Sequence, residues 1–237
     1  MHPEREPLET LHHLRRTLGE YHFAAQFQQS PAPLGGGLVK AAWFKRYRDN
    51  ELPQRFDRIV QSWDTDNKAT ELSDFSVCTT WGMKDKHVFL IGLFRRRLEY
   101  PELKRAVLEQ QRLFGATVVL IEDQASGTQL IQDLIADRCH GVTRCKTTAD
   151  KTMRMHAQTG VIENGFVHIP ETASWLDEYL HELTVFPNGK YDDQVDSTAQ
   201  FLDWFRRPCP VQTFIETMQM AERLRKGENP ERLRVRP

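Results

Sequence analysis

The sequence predicts an α/β protein built on a mixed sheet, three antiparallel strands and then parallel ones, with helices on its flanks. Three observations carry that prediction. Ala116 to Glu122 is an apolar, β-branched run that closes in two adjacent acids, Glu122 and Asp123, the pattern of a buried strand. Asp74 to Met83 and His87 to Phe94 are strand patterns joined by the tight turn Lys84-Asp85-Lys86, hence an antiparallel pair. Residues 100–114 and about 126–138 repeat apolar side chains at helical spacing on either side of the 116–122 strand.

From the amino end, Leu8, Leu11, Leu14 and Leu18 fall at helical spacing in a charged stretch that stops at Gly19, a short amphipathic helix. Ser30-Pro31-Ala32-Pro33-Leu34-Gly35-Gly36-Gly37 is a cluster of breakers and reads as a linker. Ala41-Ala42-Trp43-Phe44 and Tyr47 add aromatics suited to packing on the neighbouring core, and Pro53 closes this arm. Phe56 to Asp64 is the first core strand, succeeded by those at 74–83 and 87–94. In the 100–114 helix Leu103, Val107 and Phe114 share a face, with Leu108 beside them and Gly115 as the stop. Val142 to Lys146 is a short fifth strand. Lys151 to His156 reads as helix, and Gly160 to Pro170, with Asn164-Gly165 between apolar runs, as an added β-hairpin. Trp175 to Val185 and Asp192 to Phe205 are amphipathic helices separated by Phe186-Pro187-Asn188-Gly189-Lys190. Pro208-Cys209-Pro210 stops the second, and residues 211–226 supply one more helix before a Pro-, Glu- and Arg-rich end expected to be disordered. The expected parts are an arm and linker at 1–52, a core at 53–207, and a helix with flexible tail at 208–237. Three strands, helix, strand, helix, strand is the order of the ribonuclease H-like fold.

Composition narrows the function classes. The formal net charge of -1 argues mildly against a nucleic-acid binder, which usually shows a basic balance. Local charge is less even: Arg95-Arg96-Arg97 is a basic run, and residues 223–232 are rich in arginine. Cys78, Cys139, Cys145 and Cys209 are scattered, with no Cys-x-x-Cys pair, which fits a reducing cytosol rather than a zinc or disulfide framework. No apolar run is long enough to span a bilayer, and the amino end lacks a signal-peptide pattern, so no membrane partner is expected. The P-loop pattern is absent, since Gly189-Lys190 is followed by Tyr191, and no ATPase activity is expected of this chain.

Three acidic clusters sit where chemistry is possible. Asp64 and Asp66 follow the first core strand, Glu122 ends the buried strand at 116–122, and Asp192, Asp193 and Asp196 open the last apolar helix. An acid that closes a buried strand is costly unless paired or liganded. Asp66 and Asp74 read as turn residues, and any single Asp here has a duller account as a turn former or helix cap. Together the clusters describe carboxylates converging on a sheet, able to hold two Mg²⁺ or Mn²⁺ ions. Such a pair, roughly 4 Å apart, activates water and stabilises the leaving oxygen in phosphodiester cleavage. In the last cluster Asp192 lies nearer the apolar stripe Val195-Ala199-Leu202, yet it is also the better N-cap, and Asp196 can support either neighbour. Arg95, Arg96, Lys151, Arg154 and Lys190 are candidates for contact with DNA backbone. His12-His13, His156, His168 and His181 show no ligand spacing and read as structural.

At this point the residues resemble a known family. Gln61-Ser62-Trp63-Asp64-Thr65, Ile121-Glu122-Asp123-Gln124-Ala125-Ser126-Gly127 and Phe186-Pro187-Asn188-Gly189-Lys190-Tyr191-Asp192-Asp193-Gln194-Val195-Asp196 are similar to the C-terminal nuclease domain of the large terminase subunit of tailed bacteriophages and prophages. Phe23 to Pro31 also resembles that family's connection between motor and nuclease. The resemblance implies a metal-dependent endonuclease that cuts concatemeric viral double-stranded DNA during packaging, with two Mg²⁺ or Mn²⁺ ions. By position it implies Asp64 and Glu122 as catalytic metal ligands and matches the Asp192-Asp193 pair to the last acid; since related resolvases resemble Asp193-x-x-Asp196 at this helix start, Asp193 is the expected main ligand, with Asp192 as alternative and Asp196 as support. Expected partners are duplex DNA, the terminase small subunit, the portal and an ATPase motor, in the host cytoplasm. The motor is missing from this sequence, as in an excised domain or a truncated prophage gene. Two alternatives share the residues: a non-catalytic DNA- or portal-docking module, and a Holliday-junction resolvase-like nuclease.

Overall fold

The computed structural model describes residues 37–65, 75–124, 126–147 and 149–207. The expected helices at 8–18 and 211–226, the linker at 30–36, and Asp66 and Asp74 lie outside these residues. The chain divides into two compact units, Met1–Asp203 and Trp204–Pro237, and the sheet belongs to the first.

Among the described residues the strands are β1 (Lys45–Tyr47), β2 (Arg58–Thr65), β3 (Ser76–Lys84), β4 (His87–Arg96), β5 (Val118–Glu122), β6 (Val142–Cys145) and β7 (Val167–Pro170). The helices are α1 (Tyr100–Phe114), α2 (Ser126–Ala136), α3 (Lys151–Glu163), α4 (Leu176–Val185) and α5 (Asp193–Arg206). The strands make one sheet in the order β1-β7-β4-β3-β2-β5-β6. β2, β3 and β4 are antiparallel neighbours, and β5, β6 and β7 join in parallel. This is the mixed sheet that the element order predicts.

Alternation along β2 divides the two layers. Trp63 points with Cys78, Val119 and Ile121 into an apolar layer closed by Leu103, Ala106 and Val107 of α1 and Leu130, Ile131 and Leu134 of α2. The other face meets α5. There the Trp81 ring stacks on Phe201 with centroids 4.6 Å apart. The predicted stripe of Val195, Ala199 and Leu202 is buried as expected.

The β-hairpin expected at 160–170 is not formed. Residues up to Glu163 complete α3, and Val167–Pro170 is a strand inserted in parallel between β4 and β1. Asn-Gly makes a hairpin only when both residues take positive φ. Here Asn164 has φ -76°, and only Gly165 is left-handed, with φ 74°. The pair therefore ends a helix: the Phe166 N–H donates to Val161 O at 3.3 Å, the bond of a Schellman turn. β1 carries no signal in the sequence, because three residues are too few for a period to register.

Candidate metal centre

Sheet register unites two of the predicted acids before any side chain is considered. β2 and β5 run parallel, with Ser62 opposite Leu120 and Trp63 opposite Ile121. Asp64 and Glu122, each two residues past the Ser62–Leu120 pair, therefore share one face at the ends of adjacent strands. The same row crosses to β4, since Asp64 pairs with Val77 and Val77 with Arg95.

That face is covered by α5, and its seating is polar. Ser62 and Ser197 exchange hydrogen bonds, each hydroxyl donating to the other's carbonyl at 2.8 Å. Ser197 Oγ also lies 2.7 Å from Thr79 Oγ1 and accepts from the Thr79 N–H. Gln200 Nε2 donates to Ser62 Oγ at 2.9 Å. These buried bonds fix the height of α5 above β2 and β3, and place the first turn, with Asp193 and Asp196 buried, over the end of β2.

The start of α5 is held by α4. Glu182 accepts from the Gln194 N–H and from Gln194 Nε2, both at 2.6 Å. An acid in that place satisfies orphan N–H groups and suits the helix dipole. Local sequence favours Asp192 for this capping part, but the Asp192 carboxylate accepts from Lys151 Nζ at 2.8 Å. Glu182 is missed by sequence reasoning, although an acid on the buried stripe of Tyr179 and Leu183 is its visible mark.

Glu122 and Asp123 divide their duties. Glu122 faces the site, where Thr147 Oγ1 donates to it at 2.5 Å. Asp123 faces the turn and accepts from Thr128 Oγ1 at 2.9 Å. Gly127 follows in close approach, because a Cβ there would lie 2.0 Å from Glu122 O. That contact explains the glycine at position 127. Nothing in the sequence marks Thr147.

The electrostatics report convergence. Burial, then repulsion from Asp196, Asp193 and Glu122, holds the Asp64 carboxyl well above the usual carboxylate range. Asp196 is raised by burial, against the pull of Lys151 and Arg154. Lys151 Nζ lies 2.6 Å from Asp196 Oδ2, and Arg154 Nη2 lies 2.6 Å from Asp196 Oδ1. Arg154 Nη1 is 3.8 Å from Glu122. Burial disfavours the Lys151 charge, but its bonds to Asp192 and Asp196 outweigh that and raise it. Among the described residues, no three His, Cys, Asp or Glu side chains stand ready to hold a metal ion as placed. The donor set nevertheless fits a hard divalent cation: acidic oxygens only, mutually repelling on one face, with basic side chains as their present counter-charge.

The sequence model of one family, described as the terminase RNaseH-like domain, matches residues 61–204, the stretch that holds every acid of this centre. The chain belongs to this family. Solved structures of similar fold include the large terminase of the thermophilic bacteriophage D6E in complex with ADP, with TM-score 0.59, 10% identity, and coverage of 83% of this chain and 51% of that one. They also include the large terminase nuclease of thermophilic phage G20c with bound magnesium, with TM-score 0.55, 14% identity, and coverage of 72% and 98%. The G20c nuclease with bound cobalt gives TM-score 0.54, 15% identity and the same coverage. At these identities the likeness establishes the fold. The chain spans about half the length of the D6E protein. Comparison with curated protein sequences yields no match.

Within this terminase RNaseH-like domain the five basic candidates separate. Arg96 and Lys190 are exposed. Arg95 and Arg154 have side chains only 9% and 14% exposed and turn inward onto carboxylates. Lys151 is exposed along its stem while its ammonium bridges Asp192 and Asp196. No helix among the described residues is long and apolar enough to cross a membrane.

Proposed function

We propose that this chain is a divalent-metal-dependent endonuclease that cuts double-stranded concatemeric DNA during viral genome packaging. The observation that carries the reading is the convergence of Asp64, Glu122, Asp193 and Asp196 on one face, where burial, and then repulsion by the other three, raises Asp64. Asp64, Glu122 and Asp193 would hold the metal, with Asp192 as alternative and Asp196 in support. Two Mg²⁺ or Mn²⁺ ions held there would supply an activated water and charge stabilisation for phosphodiester hydrolysis.

The chain's own residues do the rest. The Ser62–Ser197 bonds keep Asp193 and Asp196 in register with Asp64. Thr147 orients Glu122. Exposed Arg96 and Lys190 take DNA phosphates, with Lys151, whose ammonium reaches Asp192 and Asp196, beside them. In that role the protein works in the host cytoplasm beside an ATPase motor, the terminase small subunit and the portal. The motor is suggested by the longer D6E large terminase, whose structure holds ADP.

The test is supercoiled plasmid incubated with Mg²⁺ or Mn²⁺, with and without chelator. Nicked and linear products should form only with the metal. Cutting that persists in excess chelator, from a preparation free of other nucleases, overturns metal dependence. No cutting with either metal, while DNA is still bound, favours the docking module.

A further inference from the structure

Arg95 stands on the same sheet row as Asp64, one strand beyond Val77, and its charge is almost wholly enclosed. Its guanidinium carbon lies 4.0 Å from the centre of the Phe75 ring and 5.0 Å from that of Tyr191. Glu178 is ion-paired to Nη1. Nη2 is 3.7 Å from Glu182 and 3.9 Å from Asp193. Glu182 is the acid that caps α5. A planar guanidinium packed on two rings that themselves meet edge to face, with acids of two helices around it, cannot swing out to solvent without uncovering all of them.

We propose that Arg95 is a positioning residue rather than a DNA contact: it sets the carboxylate of Asp193 directly, and the first turn of α5 through Glu182. This rests on the metal-nuclease reading above. Arginine suits the task because one rigid plane pairs Nη1 with Glu178 and sets Nη2 at ion-pair distance from both Glu182 and Asp193, whereas lysine offers a point charge on a flexible stem. Outer partners that orient metal ligands commonly govern affinity by about 10–100-fold.

The experiment compares wild type, Arg95→Lys and Glu182→Gln, all without DNA in the first arm. Arg95→Lys keeps the charge that the surrounding acids require, and Glu182→Gln keeps an oxygen for the Gln194 N–H, so both should fold. Mn²⁺ titration calorimetry should give about 10-fold or weaker binding in each variant. The carboxyl ¹³C resonance of Asp193 in metal-free protein should move in both, while that of Glu122 stays. In the second arm, the salt dependence of duplex binding in metal-free buffer should match wild type.

Unchanged Mn²⁺ affinity with an unchanged Asp193 resonance overturns the proposal. So does metal-free duplex binding that weakens at every salt concentration in Arg95→Lys alone, the mark of a lost bidentate phosphate contact that lysine does not replace. If wild type itself binds no Mn²⁺, the nuclease reading fails, and the Asp193 resonance alone decides whether Arg95 positions that side chain.

Discussion

The two faces of β2 are held in different ways. On the Trp63 side, the sheet meets α1 and α2 through apolar side chains. On the Ser62 and Asp64 side, it meets α5 through short bonds from Ser62, Thr79 and Gln200 to fixed partners. Apolar contact is non-directional, so it stabilises without dictating register to a fraction of an ångström. Hydrogen bonds dictate register, and a metal centre needs its ligands held that closely. Both sides bury apolar groups, as the Trp81–Phe201 stack shows, but only the α5 side adds directional bonds that fix geometry.

The largest expected effect belongs to the polar side. Asp64→Asn and Glu122→Gln should each lower metal-dependent plasmid cleavage by on the order of a thousandfold, as losses of charge stabilisation do. Both variants should keep the wild-type circular dichroism spectrum. Either one cleaving at the wild-type rate removes that residue from the centre.

Trp63→Ala is the reciprocal change, one residue away. It empties a fully buried indole site between β2, α1 and α2, and should cost about 3–5 kcal/mol in denaturant unfolding. Metal affinity of the molecules still folded should stay near wild type. If the affinity falls as far as the stability, the two faces are not separable in the way described.

Ser197→Ala tests the polar seating itself and should cost less, about 1–3 kcal/mol, by leaving Thr79 and the Ser62 carbonyl short of a partner in a buried place. Its Mn²⁺ affinity should drop more than that of Trp63→Ala, although its stability drops less. Reversal of that order would put the control of ligand geometry elsewhere than in α5.

The periodic elements are the legible ones, on either side of the sheet. Period and length mark β2 through β6, α1, α2, α4 and α5, because burying one face imposes a repeat that a sequence displays. The three acidic clusters can be found for the same reason, since each adjoins a periodic segment. What escapes is set by contacts between distant residues. The Asn164-Gly165 pair carries one local signal for two structures, and only the parallel place waiting between β4 and β1 decides for a helix end. Arg95 looks like a solvated strand end in sequence because Phe75, Tyr191 and Glu178, which enclose it, come from three other segments. Ser62, Thr79 and Ser197 are ordinary in sequence, and their value lies wholly in meeting.

The last and smallest effect concerns the charge that this polar face stores when no metal is bound. In the unfolded chain Asp64 titrates near the ordinary value of about 3.9. In the folded protein, burial and the carboxylates of Asp196, Asp193 and Glu122 raise it well above that. Between the two values the folded state binds the extra proton, so wild-type stability falls as pH rises through this window and stays low above it. Asn at the same position does not titrate. Metal-free Asp64→Asn should therefore melt higher than wild type at pH 8, by about 2–4 °C for each kcal/mol of burial and repulsion cost removed. The gap should narrow as pH drops towards 5. Saturating Mn²⁺ at pH 8 should shrink or reverse it, because wild type gains the greater binding stabilisation. Differential scanning calorimetry at pH 5, 6, 7 and 8, with and without Mn²⁺, reads the whole pattern. A melting difference that stays constant across that range places no raised carboxyl at Asp64, and with it removes the electrostatic evidence that Asp64 is buried against the other three acids.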